Sequence, residues 1–207
     1  MKLNDLYEAL DCLIPNPVCE LEYSKDYELL IAVMLSAQTT DKRVNMVTKI
    51  LFSKYSTLEN LYSADIADLM NIIRPIGTFN KKAKNIKEIA FHLLQEQGGK
   101  VPNDRFYLES LPGVGRKTTN VVLSILYDVP CIAVDTHVAR VSVRLGLAKK
   151  NDDVLTIERK LTRKLEKSRL SRIHHQLVLF GRYYCTARNP KCIDCPLIKM
   201  CKEKHDC

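Results

Sequence analysis

Apolar residues recur at helical spacing along nearly the whole chain, and no convincing period-two alternation replaces it anywhere. Val44, Val47, Ile50 and Leu51 follow Thr40-Asp41, a pair suited to open a helix. Ile66, Leu69, Met70 and Ile73 follow Ser63, a candidate cap, and stop at Pro75-Ile76-Gly77. Ala83, Ile86, Ile89, Ala90, Leu93 and Leu94 carry the period from Asn80 to a Gly98-Gly99 stop, and Val138, Val141 and Leu145 carry it up to Gly146. Further helices are expected over about 26–37, 154–166 and 171–184. Such a chain must bury its apolar stripes helix against helix, so the fold class is all-α.

At 207 residues the chain can build a core without disulfide staples, which excludes a disulfide mini-protein. With 46% apolar and 27% charged residues, neither disorder nor a fibrous repeat fits. The longest apolar run, Leu29 to Leu35, is far short of the roughly 20 residues a membrane span needs, so no membrane association is expected. The N-terminus has neither the apolar core of a signal peptide nor a transit character, which points to the cytoplasm.

The net charge of +8 is unevenly spread. Residues 1–30 hold two basic and seven acidic side chains, whereas residues 140–172 hold eleven basic and four acidic. A polyanion is the natural partner of such a concentration, and a solvated helix face is the alternative.

Four of the eight cysteines fall together as Cys185-x6-Cys192-x2-Cys195-x5-Cys201. Without an export signal, thiols this dense point to a metal centre rather than to disulfides. Structural zinc usually takes two Cys-x2-Cys knuckles, and here there is one, flanked by wider gaps. Four-thiolate ligation of an iron-sulfur cluster suits that spacing better, with zinc and unligated thiols as alternatives. Cys12, Cys19, Cys131 and Cys207 have no ligand-like spacing.

The segment Leu108 to Val122 reads as a short helix, a tight turn over Pro112-Gly113-Val114-Gly115 and a second helix opening at Arg116. Its two glycines allow close backbone approach, and its amides can form a phosphate nest; an ordinary helix corner is the alternative. Lys117 sits in the first helical turn beside Arg116, where both the helix dipole and the neighbouring cation favour the neutral amine that a nucleophile requires. A plain phosphate or solvent contact would also account for it. Asp135, in Val134-Asp135-Thr136-His137, is placed to cap the next helix, and a carboxylate held there ionised could also stabilise a developing cation. His137 reads as structural.

Taken together, Leu35-Ser36-Ala37-Gln38-Thr39-Thr40-Asp41, Leu111-Pro112-Gly113-Val114-Gly115-Arg116-Lys117, Val134-Asp135-Thr136-His137, His174-His175, Gly181-Arg182 and the four-cysteine tail resemble the endonuclease III family of helix-hairpin-helix DNA glycosylases. The pieces stand in family order over nearly the whole chain. The resemblance implies a six-helix barrel domain over about residues 20–130, ending in the helix-hairpin-helix. Residues 1–19 and 131–207 would form a discontinuous second domain closing on a [4Fe-4S] cluster held by Cys185, Cys192, Cys195 and Cys201.

The implied activity is that of a bifunctional DNA glycosylase and abasic-site lyase of base excision repair. It would remove oxidised or damaged pyrimidines from double-stranded DNA and cleave the abasic site by β-elimination through a lysine Schiff base. Lys117 and Asp135 take the catalytic positions in this resemblance. Gln38, Thr78, Gly113, Val114, Gly115 and Arg116 take the DNA-binding positions, with Gln38 filling the space that a flipped base leaves. Thr78 is a departure, because the family often has an apolar wedge there and a threonine unstacks bases less well; Phe79 is the neighbouring candidate. The implied protein is a monomer acting on DNA in a prokaryotic cytoplasm.

Two other functions compete. A mismatch adenine glycosylase also carries the cluster but lacks a lysine at position 117 and has a further C-terminal domain, whereas this chain has Lys117 and ends at Cys207. A noncatalytic DNA-binding module with a structural metal would share the hairpin and the basic face, but it would not need Lys117 together with Asp135.

Overall fold

The computed structural model describes residues 3–203, and among these it contains α-helices, short 3-10 turns and no strand. The all-α expectation holds. No described helix is long and apolar enough to cross a membrane. The chain divides into two compact units, Glu20–Tyr127 and Met1–Cys19 with Asp128–Cys207. Cys207 lies outside the described residues.

The first unit is built around α2 (Asp26–Leu35), whose residues from Tyr27 to Leu35 are all buried. A helix buried on every side belongs at a centre, and its one buried carboxylate, Glu28, accepts from the Ser24 N–H at 2.8 Å. Around it stand α3 (Asp41–Lys54), α6 (Phe79–Gln97) and α8 (Arg116–Tyr127). The short helices α4 (Leu58–Ser63) and α5 (Ile66–Ile72) pack on α6, and α7 (Arg105–Ser110) leads into α8. α6 ends where Gly98 turns left-handed at φ 58° and the Gly99 N–H reaches the Leu93 carbonyl, a helix stop that glycine enters at little cost.

Two details differ from the sequence reading. Ser63 does not cap α5: it closes α4, where its hydroxyl donates to the Glu59 carbonyl, and the cap of α5 is Asp65, which accepts from the Ala67 N–H at 2.7 Å. Periodicity overlooks α4 because six residues are too few to display a stripe. Thr40 occupies the N-cap position of α3, but its side chain makes no capping bond.

The second unit joins α1 (Leu3–Leu13) to α9 (Thr136–Arg144), α10 (Val154–Lys164) and α11 (Leu170–Tyr183). Leu6, Tyr7, Leu10, Val138, Val141, Leu161, Ile173, Leu177 and Phe180 form its core. α1 is fixed to α11 by Asp11, which accepts from Arg169 at 2.9 Å, Arg172 at 2.8 Å and Gln176 at 2.9 Å. α9 and α11 touch closely because residue 181 is glycine: a Cβ there would lie 2.9 Å from that of His137.

Candidate active site and metal centre

In the first unit the hairpin is held from beneath. Leu108, Leu111 and Val114 are buried, the Val114 N–H donates to the Leu111 carbonyl at 3.1 Å, and Arg105 ties α7 to α8 through Asn120 at 2.8 Å. Gly113 is left-handed at φ 80° and backs onto Asn85 of α6. Gly115 is different. A Cβ there would meet nothing within 4 Å, so its side is open to whatever approaches from outside.

Among the described residues the amides of Gly113 and Gly115 have no acceptor. Gly113, Gly115, Arg116 and Lys117 are all exposed, whereas Val114 turns its side chain inward and spends its N–H on the turn. The amine of Lys117, one residue into α8, has no hydrogen-bond or ionic partner among the described residues. A helix N-terminus preceded by two glycine amides without acceptors, with basic side chains and an open glycine, is a ready anion cradle.

Gln38 and Thr78 sit on two other turns of the same unit. Both are exposed, and both have φ 58°, the left-handed region that residues with a Cβ rarely enter. Gln38 lies in the turn after α2, where the Thr39 N–H bonds to the Ser36 carbonyl at 3.0 Å. Thr78 starts α6, its hydroxyl donating to the Gly77 carbonyl at 2.6 Å while its own carbonyl receives the Lys81 and Lys82 N–H groups. Phe79 beside it is only half-buried.

Asp135 belongs to the second unit. It caps α9, accepting from the Val138 N–H at 2.8 Å, and it is partly exposed. His137 makes a 3.2 Å contact through Nδ1 with the Arg140 guanidinium.

The same helix reaches the cysteine tail. Arg140 donates to the carbonyls of Gly181 and Cys185, and Arg144 donates to the Cys185 Sγ at 3.3 Å and the Thr186 carbonyl at 2.7 Å. Cys185, Cys192, Cys195 and Cys201 line one cavity together with Phe180 and Leu197. Burial, reinforced by the other three sulfurs, pushes the Cys195 thiol up, a cost that a bound cation would relieve.

Four cysteines lining a shared cavity fit a multi-iron cluster, which spreads its ligands.

The sequence reading missed Arg140 and Arg144, and also Lys82 of α6. The arginines carry no signal beyond ordinary helix positions. Lys82 does carry one, since it occupies the apolar stripe continued by Ile86, Ile89 and Leu93.

Comparison with known proteins gives two family matches. Residues 31–167 match the HhH-GPD superfamily base excision DNA repair protein model, and residues 185–201 match the iron-sulfur binding domain of endonuclease III. The chain is 49% identical over 191 residues to endonuclease III of Bacillus subtilis (strain 168), covering 92% of this chain and 87% of that one. It is 45% identical over 200 residues to endonuclease III of Rickettsia felis, covering 97% and 93%. Among solved structures it is similar to a trapped endonuclease III–DNA covalent intermediate, an estranged-adenine complex, with a TM-score of 0.92 and 45% identity over 98% of this chain and 96% of that one. A thermostable thymine-DNA glycosylase shares the fold, with a TM-score of 0.82 at 23% identity.

Proposed function

Because this chain belongs to the endonuclease III family, we propose that Lys117 and Asp135 are the catalytic residues with which it performs the family's chemistry. The protein is a bifunctional DNA glycosylase and abasic-site lyase of base excision repair, and it carries a [4Fe-4S] cluster. The observation that carries the assignment of Lys117 is its setting: a partnerless, exposed amine one residue into a helix whose preceding turn offers open glycine amides.

The substrate is double-stranded DNA with a damaged pyrimidine. The lesion must leave the stack, which costs a few kcal/mol and least for a base that stacks poorly. The amides of Gly113 and Gly115 and the Arg116 side chain take backbone phosphate, with Val114 contributing by shaping the turn. Gln38 and Thr78 meet the strands around the vacated position.

The neutral amine of Lys117 attacks the sugar C1′ as the glycosidic bond breaks, and the bonding pair leaves with the base. The adduct loses an amine proton and its sugar ring opens, the C1′–O4′ bond breaking as O4′ takes up a proton, and the imine so formed acidifies the C2′ proton. Loss of that proton expels the 3′ phosphate, and water then releases Lys117. Asp135 stabilises the cationic character of the sugar while the base departs.

Cys185, Cys192, Cys195 and Cys201 would hold the cluster, which supplies four metal-thiolate links that close the tail. Of the two competing functions, neither the noncatalytic module nor the mismatch adenine glycosylase accounts for Lys117. The working form is a monomer, and its compartment is the bacterial cytoplasm where the DNA lies.

A duplex with one oxidised pyrimidine tests this reading. Incubation should release the base and nick the strand, and affinity should fall steeply with salt as several phosphates are neutralised. Binding without base release would favour the noncatalytic module.

A further inference from the structure

α6 buries a cation where its apolar stripe runs. Lys82 is only 5% exposed, and it donates to the Leu35 carbonyl at 2.9 Å and the Ala37 carbonyl at 2.7 Å. Among the described residues no carboxylate pairs with it. A buried cation without a counter-ion is costly, and burial lowers the Lys82 pKa. What offsets the cost is the end of α2, whose last carbonyls lack intrahelical partners and form the negative pole of that helix.

The bond to Leu35 serves the helix end. The bond to Ala37 lies beyond it. The Ala37 carbonyl belongs to the peptide plane that joins residues 37 and 38, and rotation of that plane about the N–Cα bond of the next residue is the φ of Gln38. Fixing the carbonyl therefore fixes φ at the residue that is held left-handed at 58°. The other described donor to this oxygen, the Thr39 hydroxyl at 3.5 Å, is at the limit of a hydrogen bond.

We propose that Lys82 is the positioning residue for Gln38: its paired hydrogen bonds clamp the turn after α2 so that Gln38 keeps its left-handed backbone and stands ready for the strand. This rests on the reading that Gln38 occupies the space left by the extruded nucleotide. Unclamped, the peptide plane can rotate and Gln38 falls back to ordinary backbone, aiming its side chain elsewhere.

The test uses the full-length protein and a duplex with a tetrahydrofuran abasic analogue opposite 2-aminopurine, whose fluorescence reports unstacking. Lys82→Met keeps the apolar stem and removes the donors. Lys82→Met and Gln38→Ala should each weaken binding about tenfold, the loss expected for a charge-assisted bond, and each should damp the fluorescence rise. The double variant should be no worse than Gln38→Ala alone, because the lysine acts through Gln38.

If Lys82→Met adds its full loss to Gln38→Ala, or melts earlier while leaving the fluorescence unchanged, Lys82 only caps α2. The inference then falls while the reading of Gln38 stands. If Gln38→Ala binds and responds like wild type, that reading falls first and the inference with it. Should circular dichroism show Lys82→Met unfolded, Lys82→Gln carries the same comparison.

Discussion

Gly113 lies directly against Asn85: a Cβ added to the glycine would overlap the Asn85 amide nitrogen and come within 3.2 Å of its Cγ. Asn85 is buried on α6, so the hairpin rests on the helix that Thr78 begins and that carries Lys82. Gly113→Ala meets both this overlap and a positive φ, and it should destabilise the protein by about 2–4 kcal/mol. Gly115→Ala faces open space. It should melt within about 0.5 kcal/mol of wild type yet bind DNA more weakly, because the new methyl stands where a phosphate would approach. Thermal melting alongside DNA titration distinguishes the two.

Asp135→Asn separates the cap from the carboxylate. Asparagine caps a helix about as well as aspartate does, so the bond to the Val138 N–H should survive, and with it stability and DNA affinity. Base excision should nonetheless slow by orders of magnitude, since loss of a preorganised electrostatic group typically costs about 3 kcal/mol. Cleavage of a pre-formed abasic site should suffer less, because the base has already gone. Single-turnover rates on the two substrates give the comparison.

Cys195→Ser should lose the cluster. The wild type should be brown, with about four iron and four sulfide per chain, and the variant pale. A metal bound only by the folded chain contributes its binding energy to folding, so proteolysis of the variant should begin in the tail after Tyr183.

Acid should loosen α1 from α11 early. The Arg169 and Arg172 side chains hold the Asp11 carboxyl well below the usual carboxylate range. Its folded pKa is depressed, so the stabilisation is present above the ordinary carboxylate pKa and is lost as pH falls through the lower folded value. At neutral pH Asp11→Asn should cost about 1 kcal/mol after solvent screening. The difference in melting temperature from wild type should shrink as the pH is lowered below about 4.

The helix pattern and the chemistry-bearing motifs were legible because both are local. Periodicity marked α6, and residue type and spacing marked Lys117, Asp135 and the four cysteines. What was not legible depends on tertiary partners. Ser63 and Asp65 are both good caps by type, and only the backbone decides that Asp65 starts α5. Arg144 is one more basic residue in a basic stretch until the fold sets it against the Cys185 sulfur. Val114 stands with the DNA-binding residues by its place in the motif, and only the fold shows that its side chain is buried and its N–H bonds to the Leu111 carbonyl.

The central claim is that Lys117 forms the covalent bond to the sugar. Borohydride reduces an imine between amine and C1′ and traps it, so the measurement is denaturing electrophoresis of wild type and Lys117→Gln after reduction on a duplex containing an oxidised pyrimidine. Wild type should give a stable protein–DNA adduct, and Lys117→Gln should bind the duplex with similar affinity and give none. An adduct formed as readily by Lys117→Gln would mean that another amine is the nucleophile, contradicting the account.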